Sequence, residues 1–360
     1  MRTVASGLGS LENLEPDGRG GMLLSASSNK AVERLTPDGM TTVVVPEVEA
    51  PGGLRVRGRT LFFNTGDSAP SGLFGRSDGT IDTVDLDTGV RASYARGLTM
   101  PNGLVFLPNG DAVVSRDLGR GTGLTRVAAA DPSKPQLRWA DLDDTNGLAV
   151  DPTGTWLYVD ETFTIESAVR RVRIADPRQI EVVARLGGSG APKGLDDLTI
   201  DASGLLYITA NGSGEVIRLD PATGASCVIA AGLQNPSAVK FGRGPGWPES
   251  HLFVTGFDGA VRELTPPPGQ EPSPGRPRRI RLTGSPSQVE TGRRTCVRFR
   301  ARVGRRPLEH AIVSFRQRRV ATDTRGRARI CARFPRPGLY GAVARKPGLH
   351  RGKTSVRAGR

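Results

Sequence analysis

The sequence predicts an all-β protein that consists of a six-bladed β-propeller followed by a small β-sandwich. Six short segments repeat one apolar alternation: LENLEP, PGGLRV, PNGLVF, TNGLAV, LDDLTI and PSAVKF. They follow one another at intervals of 40 to 50 residues. Repeats of this length, each made of several short strands and turns, are typical of propeller blades. No segment sustains a helical apolar period, so the sequence favours strands throughout.

The individual repeats predict four strands per blade. PNGLVFLPNGDAVVSRD and LDDLTIDASGLLYITAN each read as a strand, a glycine turn and a second strand that ends in small polar residues. The blades are expected to begin near residues 11, 50, 98, 143, 193 and 233. The sixth has only about three strands before residue 268. We expect the N-terminal RTVAS to supply its outer strand and close the ring, which removes an exposed sheet edge.

The charge distribution divides the chain in two. Residues 271–360 contain 25 Lys and Arg against 4 Asp and Glu, whereas residues 1–270 contain 25 against 32. The net charges are therefore +21 and −7, and the overall +14 describes neither part. A Pro-rich stretch, TPPPGQEPSPGRPRR (265–279), marks the boundary. We predict a propeller over 1–268, a linker over 269–279 and a basic domain over 280–360.

The basic domain carries short alternating strands such as TCVRFRARV and ARICARF, which predict a β-sandwich. The stretch resembles bacterial Ig-like domains in its strand pattern and turns. Its charge suits an acidic polymer or an anionic surface, and the alternative is a solvated face on a spacer. Because groove-reading helices and stacking aromatics are not evident, we expect no sequence-specific binding of nucleic acid.

The three cysteines do not form a metal motif. Cys227 falls in the predicted outer strand of blade five, where we expect a buried small hydrophobe. Cys296 and Cys331 lie in the basic domain, either as a disulfide between facing strands or as two unpaired core cysteines. The sequence leaves these two alternatives open.

Localisation rests on what the first segments contain. No stretch is long and apolar enough to span a membrane, and the first 30 residues lack the apolar core of a signal peptide. As the sequence stands we expect a cytoplasmic monomer. A secreted or cell-surface location follows instead if the true start lies upstream.

One position of the repeat is polar in a way that suggests a metal site. It holds, in chain order, Glu12, Gly52, Asn102, Asn146, Asp196 and Ser237. A propeller brings equivalent positions of its blades to one axis, so two carboxylates and two amides should meet there. Oxygen ligands without thiol or imidazole suit a hard cation, with calcium favoured over other divalent cations. Glu15 is a rival ligand, but strand alternation favours Glu12.

These motifs resemble a known family. Residues 1–268 are similar to the SMP-30/gluconolactonase/luciferin-regenerating-enzyme group, and more distantly to the paraoxonases and diisopropylfluorophosphatase. The resemblance implies a calcium ion held by Glu12, Asn102, Asn146 and Asp196, with Asn102 also contacting substrate or water. It also implies hydrolysis of a small-molecule lactone or ester by a metal-activated water. Asp196, or Asp197 beside it, would accept the proton.

Departures from the family leave a second hypothesis open. Met100 and Pro101 stand where sugar lactonases often carry an Arg before the third-blade Asn, and the propeller lacks a candidate pocket histidine. A non-catalytic, calcium-stabilised propeller that binds a ligand or partner is therefore the alternative to the hydrolase. A third hypothesis, a strictosidine-synthase-like or NHL-type propeller, predicts no ring of oxygen ligands. Further polar residues near the same mouth, each favoured as a turn or cap residue, are Asn64, Asp67, Arg116, Asp117, Glu161 and Asn211.

Overall fold

The protein is described from a computed structural model, which defines residues 1–119, 121–187, 191–267, 272, 279–304, 306–346 and 351–359. The prediction of an all-β protein is confirmed: in the described part, one helix, α1 (Ala69–Phe74), accompanies the strands. Among these residues no helix has the length and apolarity needed to cross a membrane. The chain divides into two compact units, Met1–Val150 with Trp156–Pro274, and Asp151–Thr155 with Gly275–Arg360.

The first unit contains six four-stranded antiparallel sheets. Five of them take consecutive strands. They are β2 (Leu11–Pro16), β3 (Met22–Ala26), β4 (Ala31–Leu35) and β5 (Thr41–Val45); β6 (Leu54–Arg57), β7 (Thr60–Thr65), β8 (Gly79–Asp85) and β9 (Arg91–Leu98); β10 (Leu104–Phe106), β11 (Ala112–Val114), β12 (Leu124–Val127) and β13 (Gln136–Ala140); β14 (Thr145–Val150), β15 (Trp156–Glu161), β16 (Ala168–Arg173) and β17 (Asp176–Arg185); and β18 (Leu195–Ile200), β19 (Leu206–Ala210), β20 (Glu215–Leu219) and β21 (Ser226–Ala230).

The last sheet joins the two ends of the unit. It contains β22 (Pro236–Phe241), β23 (Leu252–Gly256) and β24 (Val261–Leu264), and β1 (Arg2–Ala5) pairs antiparallel with β24. An ion pair between Arg2 and Glu263, 2.7 Å from Nη2 to Oε2, lies on the same two strands. The prediction that the N-terminal segment completes this sheet is confirmed.

The apolar core lies between neighbouring sheets and not within one of them. Six clusters of buried side chains each join two consecutive sheets, and one of them joins the last sheet to the first. The first strands β2, β6, β10, β14, β18 and β22 contact one another in the same cyclic order. Each sheet therefore buries both faces against its neighbours, as propeller blades do, and presents its first strand to a common centre.

The second unit has two sheets around one apolar cluster. One contains β25 (Arg281–Ser285), β27 (Arg294–Val303), β28 (Arg306–Pro307) and β31 (Arg327–Arg333). The other contains β26 (Gln288–Glu290), β29 (Ile312–Phe315), β30 (Arg318–Ala321), β32 (Gly338–Arg345) and β33 (Gly352–Gly359). Val297, Phe299 and Ile330 from the first sheet share the cluster with Val313, Phe315 and Val356 from the second.

The cysteines give one correction and settle one alternative. The prediction that Cys227 is buried was wrong, because β21 is the outermost strand of its sheet and the side chain is exposed. Cys296 and Cys331 face each other on the paired strands β27 and β31 and form a disulfide. Of the predicted linker 269–279, all but Pro272 and Arg279 lies outside the described residues.

Candidate metal centre

A repeated irregularity in the first strands prepares the central site. In four sheets the pairing of the first strand with the second shifts at the same place, between Leu11 and Leu14, Thr145 and Leu148, Leu195 and Leu198, and Pro236 and Val239. Each shift is a bulge that removes two adjacent residues from the ladder. Glu12, Asn146 and Asp196 are the first residues of three such pairs. In a regular strand, two adjacent side chains point to opposite faces of the sheet. At the bulge this rule is relaxed, so both adjacent side chains can contact other sheets.

The predicted ligands meet in two hydrogen-bonded pairs. Asn102 Nδ2 donates to Glu12 Oε1 at 3.3 Å, and Asn146 Nδ2 donates to Asp196 Oδ1 at 3.1 Å. The second carboxylate oxygen of Asp196 accepts from Asn211 Nδ2 at 3.2 Å. These contacts join residues that lie 90 and 50 positions apart in the chain. The structure thus brings together all four residues that the repeat position singled out.

Two further carboxylates belong to the same cluster. Asp67 follows β7 and Asp117 follows β11, and the charges of both act on Glu12 or are acted on by it. The Oδ1 atoms of Asp67 and Asp117 are buried without a hydrogen-bond partner. The sequence had named both residues near this mouth but favoured turn or cap roles for them. Their unpartnered oxygens instead leave acceptors free at the centre.

The electrostatics of the cluster are dominated by burial and by like charges. Burial, followed by repulsion from Asp117, raises the pKa of Glu12 to about 8. Burial and the charges of Glu12 and Asp117 raise the pKa values of Asp67 and Asp196 well above the ordinary range. Burial also raises the pKa of Asp117 to about 6. A cation among these groups would favour their ionised forms and offset the repulsion.

Asp197 has a different environment from its neighbour Asp196. Its Oδ2 pairs with the buried Lys240 ammonium and also accepts from Asn13 Nδ2 at 3.4 Å. A second ion pair involves Glu15, whose Oε2 lies 3.8 Å from Arg55 Nη1. Arg55 Nη2 also donates to the backbone carbonyl of Leu148 at 3.4 Å. Glu15, the rival ligand, is therefore engaged by a cationic side chain. Because of the bulge after Leu11, this outcome does not follow from simple alternation.

The donor set matches calcium in the type of its ligand atoms. Carboxylate and amide oxygens at the centre match a hard cation, and the unpartnered oxygens of Asp67 and Asp117 add to the fit. Among the described residues, however, no three Asp, Glu, His or Cys side chains converge closely enough to form a ready-made metal cluster. Asn102 and Asn146 turn their amide nitrogens toward the carboxylates, so ligation requires their oxygens to be turned there instead. The residues therefore match calcium in the type of their ligand atoms, provided that the two Asn side-chain amides are turned.

The remaining candidates from the sequence have structural contacts. Asn64 Nδ2 donates to the Asn102 carbonyl at 2.8 Å, Arg116 donates to the carbonyls of Leu118 and Gly72, and Glu161 pairs with Arg170. Through these contacts the three side chains bind backbone carbonyls or a neighbouring strand, and not the carboxylates of the acidic cluster.

Sequence reasoning missed two buried charges near the site, Lys240 and Asp160. Lys240 occupies the same repeat position as Glu15 and Arg55, so alignment of the segments offered a signal for it. Asp160 accepts from the Gly147 amide at 2.7 Å, while burial and the charge of Asp197 raise its pKa to about 8. Its second oxygen has no hydrogen-bond partner.

Six sheets joined pairwise by apolar layers around a polar, acidic centre define a β-propeller with a candidate cation site. Residues 32–257 match the model of the SMP-30/gluconolactonase/LRE-like region. This match covers more than half of the chain, and the protein belongs to that family.

Solved structures resemble the chain at the level of the fold. A gluconolactonase from Xanthomonas campestris aligns at 20% identity and a TM-score of 0.59, over 73% of this chain and 88% of that one. A calcium-binding protein, regucalcin, from Agrobacterium tumefaciens aligns at 20% identity and a TM-score of 0.56, over 74% and 91%. A putative gluconolactonase gives 21% identity and 0.57, over 74% and 93%. No curated protein matches the chain by sequence.

Proposed function

We propose that the protein is a calcium-dependent hydrolase of a small lactone or related ester, built on a six-bladed propeller and followed by an Ig-like domain. Membership of the SMP-30/gluconolactonase/LRE-like family supports the reaction class. A gluconolactonase and a calcium-binding regucalcin among the structural neighbours agree with this proposal.

Glu12, Asn102, Asn146 and Asp196 are the proposed calcium ligands. A calcium ion held there would supply Lewis acidity toward a lactone or ester carbonyl and toward a nearby water. Asn102 is also given the role of orienting substrate, and its hydrogen bonds with Glu12 and Asp67 put its amide group among the acids of the cluster. Asn102, Asn146 and Asp196 are buried and Glu12 is half-buried, which limits the screening of these interactions by bulk water.

Proton transfer is assigned to Asp196, named from the sequence, and to Asp117, which has a free oxygen. Asp197, one of the acceptors that the resemblance implied, is already paired with Lys240 and Asn13, so we give it a positioning role. Asp196 remains a candidate, and Asp117 joins it because its Oδ1 is buried and unpartnered. A base must lie within hydrogen-bond reach of the proton it accepts, and Asp117 interacts with Glu12 at the same centre.

A single observation carries the proposal. Four carboxylates, the buried Asp117 and Asp196 and the half-buried Glu12 and Asp67, lie close enough to act on one another, and the strongest charge effects on Glu12, Asp67 and Asp196 come from other acids. Concentrating buried negative charge in this way is costly unless a cation compensates it. The oxygen ligands make calcium the favoured cation.

The test is a panel of sugar and aliphatic lactones and aryl esters, assayed with the full-length protein in calcium and again in EDTA. We expect turnover of at least one lactone in calcium and its loss in EDTA, with recovery when calcium is restored. Asp196→Asn should abolish the activity, whereas Glu249→Gln, at an exposed acid, should leave it unchanged. Turnover that persists in EDTA would contradict the metal dependence.

One observation favours the second candidate, a non-catalytic propeller that calcium stabilises. The position before Pro101 holds Met100, which is buried, and the nearby Arg116 guanidinium donates to backbone carbonyls. Neither is placed to grip an acidic substrate. Calcium binding without turnover of any compound in the panel would support this candidate over the hydrolase.

A further inference from the structure

One outward sheet face of the second unit is lined by arginines, here called the arginine face. Its members lie on β25, β27 and β31: Arg281, Arg294, Arg298, Arg300, Arg302, Arg327, Arg329 and Arg333. The strand register places them directly opposite one another. Arg294 faces Arg333, Arg298 faces Arg329, Arg300 faces Arg327, and Arg281 faces Arg302. Three of these like-charge pairs join β27 to β31, with the Cys296–Cys331 pair between the first and the second of them, and the fourth joins β25 to β27.

Alternation fixes the side on which these arginines lie. The residues between them, among them Val297, Phe299 and Ile330, are buried in the apolar cluster of the unit. Because successive side chains of a strand point to opposite faces, the arginines point away from that cluster. Seven of the eight are exposed, and Arg302 is intermediate.

The second unit does not balance this charge from its own described residues. Directly opposed residues of paired strands have Cβ atoms about 4.5–5.5 Å apart, and like charges there are destabilising. For this face the structure records an ion pair of Arg327 with Asp323, at 3.1 Å. Arg302 Nε is buried without a hydrogen-bond partner. Four acidic residues among positions 271–360 are too few to neutralise eight guanidinium groups as well as the rest.

The geometry selects among anionic partners. Arginines two residues apart on one strand repeat about every 7 Å, which makes two parallel rows of charge along β27 and β31. A guanidinium fork binds phosphate oxygens in a bidentate manner, and an opposed pair offers two forks to a single phosphate group. The other side chains on this face are small, with Thr283 and Ser285 on β25 and the Cys296–Cys331 disulfide. Large apolar or aromatic groups for membrane insertion or base stacking are missing from the described residues of these rows.

We propose that the arginine face binds a flexible, base-free linear polyphosphate, which lies along β27 and β31 with phosphates at intervals along the polymer held by the opposed arginine pairs. This inference is independent of the chemistry proposed for the propeller. Bound phosphate groups would relieve the repulsion within the four arginine pairs, which explains why like charges are opposed on this face.

The test measures binding of long-chain inorganic polyphosphate to the full-length protein at several salt concentrations. The variant replaces two adjacent opposed pairs: Arg298→Gln, Arg300→Gln, Arg327→Gln and Arg329→Gln. The control removes the same number of exposed arginines from strands of the other sheet: Arg318→Gln, Arg319→Gln, Arg345→Gln and Arg357→Gln. We expect the face variant to bind at least tenfold more weakly and with a shallower salt dependence, and the control to change less than threefold.

Three outcomes would overturn the proposal. Equal losses in the two variants would mean that net charge alone attracts the polymer. Binding of duplex DNA, or of phosphatidylserine vesicles, that is tighter than polyphosphate and depends on the same four arginines would assign the face to a different partner. Thermal unfolding of both variants serves as the folding check, and removal of the opposed charges should leave the midpoint unchanged or raise it.

Discussion

At the scale of single residues, the acids of the propeller centre are distinguished by their counter-charges. Asp197 lies against Lys240, whereas Glu12 and Asp196 receive amide hydrogen bonds and the repulsion of other carboxylates. Asp196 and Asp197 are neighbours in the chain, yet their environments differ. Asp196 is available to a bound metal ion, whereas the charge of Asp197 is already neutralised by Lys240. This difference follows from the bulge, which sends the two side chains to different partners.

Neutralising Asp117 should stabilise the protein in the absence of calcium. Its pKa in the folded state is raised to about 6 from 3.8 by burial, so ionisation costs folding free energy. The cost is absent below about pH 4, grows between pH 4 and 6 and is complete above that. In EDTA at pH 7.5 we expect Asp117→Asn to raise the free energy of unfolding by about 1–3 kcal/mol, measured by chemical denaturation.

Calcium should raise the free energy of unfolding of Asp117→Asn by less than that of the unmodified protein, because the substitution removes one negative charge that attracts the ion. Glu249→Gln, at an exposed site, is the control and should behave as the unmodified protein in both conditions. An Asp117→Asn variant that is less stable in EDTA at pH 7.5, or equally stabilised at pH 4, would contradict the electrostatic account.

Lys240 should be needed only while Asp197 is charged. Lys240→Met leaves a buried carboxylate without its counter-ion, which typically costs about 3–5 kcal/mol. Asp197→Asn in the same chain should recover much of that loss, since the charge is then removed from both sides. Urea unfolding of the two single variants and the double variant measures the coupling. Strictly additive losses would show that the two residues do not act as a pair.

At the scale of elements, the sheets are joined by a recurring hydrogen bond. A polar side chain near the end of the second strand donates to a backbone carbonyl in, or just before, the first strand of the next sheet. Ser25 donates to Gly52, Asn64 to Asn102, Ser115 to Asn146 and Thr209 to Ser237. Asp160 takes the equivalent place in the fourth sheet and instead accepts from Gly147. These bonds fix the first strands around the centre and so position the candidate ligands.

Removing one of these hydrogen-bond donors should lower the free energy of unfolding. Ser115 Oγ donates to the Asn146 carbonyl and accepts from the Gly103 amide at 2.8 Å, and all three groups are buried. Ser115→Ala leaves both backbone groups without that partner, so we expect a loss of about 1–3 kcal/mol in chemical denaturation. Ser226→Ala, at an exposed position of β21, is the matched control. An equal effect of the two substitutions would contradict the role of the inter-sheet bond.

The strands themselves were accessible from sequence, and the bulges were not. Alternation and glycine turns predicted first strands near residues 11, 143 and 193, and the structure begins them at Leu11, Thr145 and Leu195. Alternation alone, however, assigns Glu12 and Glu15 to opposite faces. The register shift after Leu11 breaks this alternation, and the apolar pattern of the segment does not reveal it.

At the scale of the whole molecule, the two segments of the chain carry opposite net charge. The propeller segment has a net charge of −7 and the basic segment +21. Composition predicted the second unit to be basic, but the arginine face depends on the pairing of β25, β27 and β31, which brings distant segments into register. Asp67 and Asp117 show the same limit, because only closure of the ring brings them to Glu12.

Calorimetric titration of calcium into the EDTA-stripped, full-length protein tests the central claim most directly. The account predicts binding of one calcium ion per chain, with affinity lost in Asp196→Asn and retained in Glu249→Gln. At a free concentration one hundred times the dissociation constant, calcium should add about 2.7 kcal/mol to the stability. Absence of binding heat together with an unchanged unfolding midpoint, or equal affinity in Asp196→Asn, would contradict a calcium site at the propeller centre.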